Sequence, residues 1–273
     1  MTNSMPSRTR WWGLVLLMMT CPVIAASLAL DTGTPSTLTT EALLAMPSVA
    51  TVQVPADVTF HRTMTYRAVP LRALPGIQNL PDDADLKIVA TDGFVTNLPV
   101  TLIRKAHGAV PWLAIETADQ PWPKTSQGVD AGPFYLVWTN PAASGVLSEQ
   151  WPYQIDSIRV VAARAVKWPQ LTIDDHVPQR SPIRRGQTVF VTECMVCHRM
   201  DGAGDASVGP DLNLPHNPTE YFQPWALKAY IRDPKSIRAW SAMRMPGFDK
   251  SVISDSDLDA IIAFLHYMAQ KPK

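Results

Sequence analysis

Cys194-Met195-Val196-Cys197-His198 is a CxxCH pentapeptide, and it constrains this chain more than any other feature. Two thiols at that spacing can add across the two vinyl groups of a haem, and the adjacent histidine then lies under the iron as an axial ligand. The same residues would also suit a redox dithiol or part of a zinc site. The cysteine count separates these readings. The chain has 3 cysteines in 273 residues, and the third, Cys21, sits in an N-terminal segment of export type. With that segment removed, no structural disulfide competes for Cys194 and Cys197, and a four-cysteine zinc site is impossible. A thioredoxin-type CxxC would also want a βαβ context. The motif therefore reads as haem attachment outside the cytoplasm.

The export reading rests on residues 1–25. Arg8 and Arg10 supply a positive start, Trp11 to Ile24 is apolar, and Val23-Ile24-Ala25 and Ser27-Leu28-Ala29 are small-residue cleavage sites. The expectation is a signal peptide over 1–25 and a periplasmic protein. The apolar run is short for a span of ~20 residues, so membrane attachment follows only if the segment stays uncleaved. Met18-Met19-Thr20 lacks the small residue wanted before a lipidated cysteine, which argues against Cys21 as an anchor.

The length suits two modest domains. Residues 26–176 hold ten Lys/Arg against fourteen Asp/Glu, and residues 177–273 hold twelve against ten. A balance of −4 against +2 is too mild for nucleic acid or a membrane surface, and no long basic run exists. It suits weak steering toward a redox partner. The polar, proline-bearing stretch around Asp174 to Pro182 marks a semi-rigid linker, set at 171–182. A β-rich domain is expected over 30–170 and a helical one over 183–273.

In the helical domain, Gly186, Phe190 and Cys194 recur every four residues along a first helix from Ile183 to Cys194. Ser254-Asp255-Ser256-Asp257 supplies cap chemistry for a last helix. Its apolar stripe is Leu258, Ile261, Ile262, Leu265 and Met268. Gly209-Pro210-Asp211-Leu212 follows the haem motif, and Ala242-Met243-Arg244-Met245-Pro246-Gly247-Phe248 offers two thioethers. In an extended chain Met243 and Met245 share one side, so geometry alone leaves both open. Met200 is too near His198 to reach the opposite face, Met268 belongs to the helix stripe, and His216 and His266 read as solvent-facing.

These residues together resemble a class I cytochrome c along the whole segment. The resemblance implies an all-α fold in which Gly186 and Phe190 cross Phe264 at close range. It implies one covalent haem c tethered by Cys194 and Cys197 and ligated by His198. Pro210 would accept a hydrogen bond from the haem histidine's other ring nitrogen. Met245, followed by Pro-x-Phe, would be the sixth ligand. His/Met ligation favours ferrous iron and fills both axial positions, which points to outer-sphere electron transfer. Tyr221, Phe222, Trp225, Tyr230 and Trp240 are candidates to line the pocket, with Trp240 or Arg238 at a propionate.

In the N-terminal region, Ala50-Val54, Leu86-Ala90, Leu98-Ile103, Trp112-Ile115, Phe134-Trp138 and Ile155-Ala162 read as strands, with Thr39 to Ala45 as the one helical run. Thr91-Asp92-Gly93-Phe94-Val95, Gly132-Pro133-Phe134-Tyr135-Leu136-Val137 and Trp151-Pro152-Tyr153-Gln154-Ile155 resemble parts of the sulfite-oxidase-type molybdopterin fold, a mainly β (α+β) architecture. Those enzymes hold molybdenum through a cysteine thiolate, and this domain has none. His61, Arg62, Arg67, Lys105 and His107 do not form a phosphate cradle. His61 and Tyr66 read as polar-face strand residues. The expectation is a cofactor-free domain without molybdopterin, used for docking.

The leading expectation is thus a mono-haem carrier of single electrons between redox partner proteins, among them a periplasmic dehydrogenase or oxidoreductase, and not a catalyst in its own right. The alternatives are a sulfite-dehydrogenase-like molybdenum oxidoreductase and a haem redox sensor.

Overall fold

The computed structural model describes residues 26–104, 108–206 and 208–272. Residues 1–25, expected as a signal peptide and holding Arg8, Arg10 and Cys21, lie outside the described residues, as do Lys105 and His107.

The N-terminal region is mainly β. One sheet has the order β2-β1-β9-β5-β6, with β1 (Ser27–Asp31), β2 (Pro35–Thr39), β5 (Ala84–Ala90), β6 (Val95–Pro99) and β9 (Ile155–Ala162). The other runs β3-β4-β7-β8, with β3 (Ala50–Val54), β4 (Met64–Pro70), β7 (Val110–Ile115) and β8 (Phe134–Thr139). All pairings are antiparallel except β1 on β9. Leu28, Leu30, Leu86, Ile88 and Ile158 from the first sheet meet Tyr66, Leu113 and Phe134 to Trp138 from the second in one core. Helix α1 (Thr40–Leu44) is capped by the Thr39 hydroxyl, which accepts from the Ala42 amide at 3.2 Å.

Three sequence expectations change here. The strand expected over Leu98–Ile103 ends at Pro99, and α2 (Val100–Arg104) follows. Proline has no N–H for a ladder, and Val100 and Ile103, one helical turn apart, both bury. Strands β1 and β2 lay outside the expected set, and β4 was anticipated only through Tyr66; β1 and β2 are short and rich in Ser and Thr. Leu28 and Leu30 are core residues, so cleavage after Ala25 keeps β1 whole, whereas cleavage after Ala29 removes Leu28.

The third correction concerns Tyr66 and His61. Tyr66 points into the core, and His61 sits exposed in a turn with φ 52°. The Tyr66 hydroxyl donates to the buried Asp57 carboxylate at 2.7 Å. The same carboxylate accepts from the Thr59 and Phe60 amides at 2.9 Å and from the Tyr135 hydroxyl at 3.2 Å. Burial, and then the Asp57 charge, hold the Tyr66 hydroxyl far above its ordinary range. This is a closed structural network. Tyr66→Phe should therefore cost about 2 kcal/mol in chemical denaturation, because a buried carboxylate loses a donor. The visible spectrum of the haem-loaded protein should stay as it was.

After β9, α3 (Arg164–Lys167) leads into a segment expected as linker. There Leu171, Ile173 and Val177 bury against the C-terminal core. The helical domain then runs α4 (Pro182–Val189), α5 (Pro218–Tyr221), α6 (Pro224–Arg232), α7 (Pro234–Ile237) and α8 (Asp255–Gln270). Ser254 caps α8, its hydroxyl accepting from the Asp257 amide at 3.0 Å. Helices α4 and α8 cross at Gly186. A Cβ there would collide with the Ala260 carbonyl and lie 2.9 Å from the Phe264 Cβ. The rings of Phe190 and Phe264 meet just beyond, 5.3 Å between centroids.

Candidate haem site

The CxxCH pentapeptide emerges from α4 through a π-helical turn over Phe190–Cys194. The amides of Cys197 and His198 both donate to the Cys194 carbonyl, at 3.1 and 2.9 Å, which sets the spacing of thiols and imidazole. The two sulfurs are unpaired and partly buried. Burial, then the Glu193 charge, pushes the Cys194 thiol far up, and burial pushes Cys197 up to about 11. Both are therefore protonated at neutral pH. Dithiol oxidoreductases need the opposite shift.

His198 has one ring nitrogen committed. A carbonyl can only accept, so Nδ1 donates to the Pro210 oxygen at 2.8 Å and carries the proton, leaving the Nε2 lone pair free for a metal. Gly209 makes this approach possible: a Cβ there would sit 2.9 Å from Nε2, inside the ring's own space. Burial lowers the His198 pKa and favours the neutral, ligating form.

The loop behind the histidine is pinned by Asp211. Its carboxylate accepts from the amides of Asp201, Gly202, Asn213 and Leu214 at 2.7–3.1 Å. The buried amides of Asn213 and Asn217 donate to the Met268 and Leu265 carbonyls at 3.1 and 3.0 Å, tying this loop to α8. Sequence reasoning had not singled out these asparagines. Their signal was the Asn-Pro-Thr-Glu capping box at Asn217, whose amide donates to Glu220 at 3.0 Å.

The two thioethers are distinguished by packing. Met245 packs against the C-terminal core, and Met243 lies outside that cluster. The chain beyond Met245 is held by Phe248, whose amide donates to the Ile231 carbonyl at 3.1 Å, and by Arg232, which donates to the Phe248 carbonyl at 2.9 Å. Met200 and Met268 are fully buried. His216 is exposed, 3.4 Å from Glu220, and His266 is exposed with Nε2 2.9 Å from the Gln270 side-chain amide.

A haem needs apolar cover as well as ligands. Of eight large apolar side chains left exposed among the described residues, six lie between His198 and Met245: Val208, Leu214, Tyr221, Trp225, Ile237 and Trp240. Trp225 is 69 % exposed and Tyr221 63 %. Such unsatisfied surface in one stretch, with a free Nε2 and two protonated thiols, fits a covalently held haem. Arg238 lies 5.8 Å from the Trp240 ring. The N-terminal residues weighed for a molybdopterin are placed as follows. The domain has no thiol, the Tyr66 hydroxyl is spent on Asp57, and His61, Arg62 and Arg67 are exposed.

The N-terminal domain reaches the attachment peptide itself. Lys87 of β5 and Lys167 of α3 both pair with Asp205, at 3.2 and 2.7 Å. The Val95 amide approaches the Val196 carbonyl at 3.5 Å. Ser148, in the loop after β8, donates through its hydroxyl to Glu193 at 2.8 Å. Glu193 is only 1 % exposed, and its Oε1 has no hydrogen-bond partner. In the helix register it follows Val189 by four residues and Phe190 by three, which turns it inward. Burial lifts its pKa to about 7; burial and then the Glu193 charge lift that of Glu149 to about 8. Apart from Val95 and Val196, which fall within quoted motifs, none of these interface residues was singled out in the sequence, because the partners lie between 38 (Lys167 to Asp205) and 118 (Lys87 to Asp205) positions apart in the chain.

Residues 183–269 match the family model for cytochrome c, which places a cytochrome c domain over the helical part of the chain. A domain of this family carries covalently bound haem c and serves haem-based electron transfer. Among curated proteins, none matches the chain.

Proposed function

We propose that the chain is a periplasmic mono-haem c-type cytochrome that passes single electrons between redox partner proteins, with its N-terminal domain serving to dock or position a partner. The observation that carries this reading is the His198 geometry. Nδ1 is fastened to Pro210, Nε2 is left free, and two protonated thiols stand beside it on a tight turn. Cys194 and Cys197 would tether the porphyrin, and His198 and Met245 would hold the iron. Bound there, haem would supply a one-electron ferric–ferrous couple.

The residues of this chain do the rest. Pro210 orients the imidazole, the Arg232 bonds hold the methionine loop, and the α4–α8 crossing keeps the attachment peptide rigid. The mainly β architecture and the Gly-Pro-Phe-Tyr strand support a cofactor-free relative of the sulfite-oxidase-type fold. The single CxxCH supports one haem per chain.

The test is elemental analysis with spectroelectrochemistry, on protein exported by a host able to mature c-type cytochromes. One iron, no molybdenum and a reversible one-electron couple are expected. Protein without iron would overturn the reading, and stoichiometric molybdenum would make the chain an oxidoreductase in its own right.

A further inference from the structure

Glu193 and Glu149 meet where the two domains meet. One belongs to the turn that ends in Cys194, the other to the loop that follows β8. Glu193 keeps one oxygen on the Ser148 hydroxyl and leaves the other without a partner, in a position closed to solvent. The Glu149 backbone lies beside that carboxylate. Among the described residues, the other ionisable groups around the pair are Cys194 and Cys197 on the helical side, with Asp92 and Tyr153 on the sheet side. None of these brings a positive charge. The two lysines of the same interface, Lys87 and Lys167, are committed to Asp205. Neither glutamate belongs to the iron-ligand set.

A buried carboxylate with an unmet oxygen and no cation is costly as an anion and stable as an acid. Its ionisation depends on charge nearby, and the largest change of charge expected in this domain is that of the haem tethered at the next residue. We infer that Glu193 and Glu149 form a proton-binding site at the domain interface whose occupancy is coupled to reduction of the haem, an inference that rests on the function proposed above. On reduction, as one electron from the partner protein reached the haem, the pair would take up part of a proton from solvent, forming a carboxylic O–H bond in that fraction of molecules, and on oxidation it would release the same amount. The thioether bonds to Cys194 and Cys197 are untouched throughout.

The direction follows from Coulomb's law. Ferric haem carries one more positive charge than ferrous haem, so it favours the carboxylate anion, and the reduced protein holds the proton more tightly. In a partly desolvated site, one unit of charge changes proton affinity by about tenfold. For a one-electron couple that tenfold change is a 59 mV shift in potential.

The experiment is a potentiometric titration of the haem-loaded full chain from pH 5.5 to 8.5, read by absorbance. Proton uptake on reduction is read in parallel with an indicator dye in weak buffer. The midpoint potential of the wild-type protein should fall as pH rises through the range about 6–8, with proton uptake in the same window. Glu193→Gln keeps an acceptor for Ser148 but cannot ionise, and it should flatten the slope. Glu149→Gln, at the more accessible position, should reduce it. A flat wild-type profile, or a wild-type slope retained in both variants, would overturn the inference. Absence of a reversible haem couple would instead sink the proposed function, so the two failures are distinguishable.

Discussion

Replacing Met245 by alanine in the haem-loaded protein removes the thioether, and the reduction potential should fall on the order of 0.1 V or more. That lies well within the ~0.8 V range over which axial ligands set haem potentials. The soft thioether favours ferrous iron, so its loss relatively stabilises the ferric state. The sixth position also opens, and the visible spectrum should change toward that of five-coordinate or water-ligated iron. Met243→Ala is the control. Met243 sits outside the C-terminal core cluster that Met245 packs against, so its removal should leave spectrum and potential close to wild type. An unchanged potential in Met245→Ala, with a fall in Met243→Ala, would reverse the assignment.

The second large effect is expected at Gly186. A single methyl there collides with the Ala260 carbonyl, so α4 and α8 must separate or shift to admit it. Neither response is cheap. The contact is backbone on one side, and the Phe190–Phe264 ring contact is anchored just beyond. Gly186→Ala should cost the helical domain about 3 kcal/mol, at the upper end of overpacking penalties. For a domain of this size the loss lowers Tm on the order of 10–20 °C. Differential scanning calorimetry of the full chain would resolve it. A transition assigned to the helical domain that stays within a few degrees of wild type would show that the crossing is looser than the geometry indicates.

These two sites illustrate how unevenly the molecule could be read from its residues. The Ile183-to-Cys194 helix, the cap at Ser254 and the apolar stripe of the last helix are local patterns, legible because helix chemistry acts over three or four residues. The close approach at Gly186 was legible only through the family resemblance; no local rule says which helix a glycine will face. In the N-terminal region, strands rich in β-branched and aromatic residues such as Ile155–Ala162 were plain. The Ser- and Thr-rich β1 and β2 were not, because they owe their place to partners far along the chain. Tyr66 shows the same limit. Its strand alternation is visible in the residues, but the buried Asp57 that claims its hydroxyl comes from the preceding turn, and nothing local marks that carboxylate as buried.

What the sequence by itself determined is the chemistry: one CxxCH, a single further cysteine far off at Cys21, one histidine in the motif, and two methionines beside a proline-bearing loop. Covalent attachment depends on residue types at short spacing, so the pentapeptide specifies it without knowledge of the fold. Only the tertiary structure decided what surrounds that chemistry. It brought Asp205 to two lysines, Ser148 to Glu193, and Glu149 of one domain to the turn that carries Cys194 in the other. Those contacts join residues far apart in sequence, and their energies depend on burial. Burial is a property of the whole packed chain, and no short segment records it.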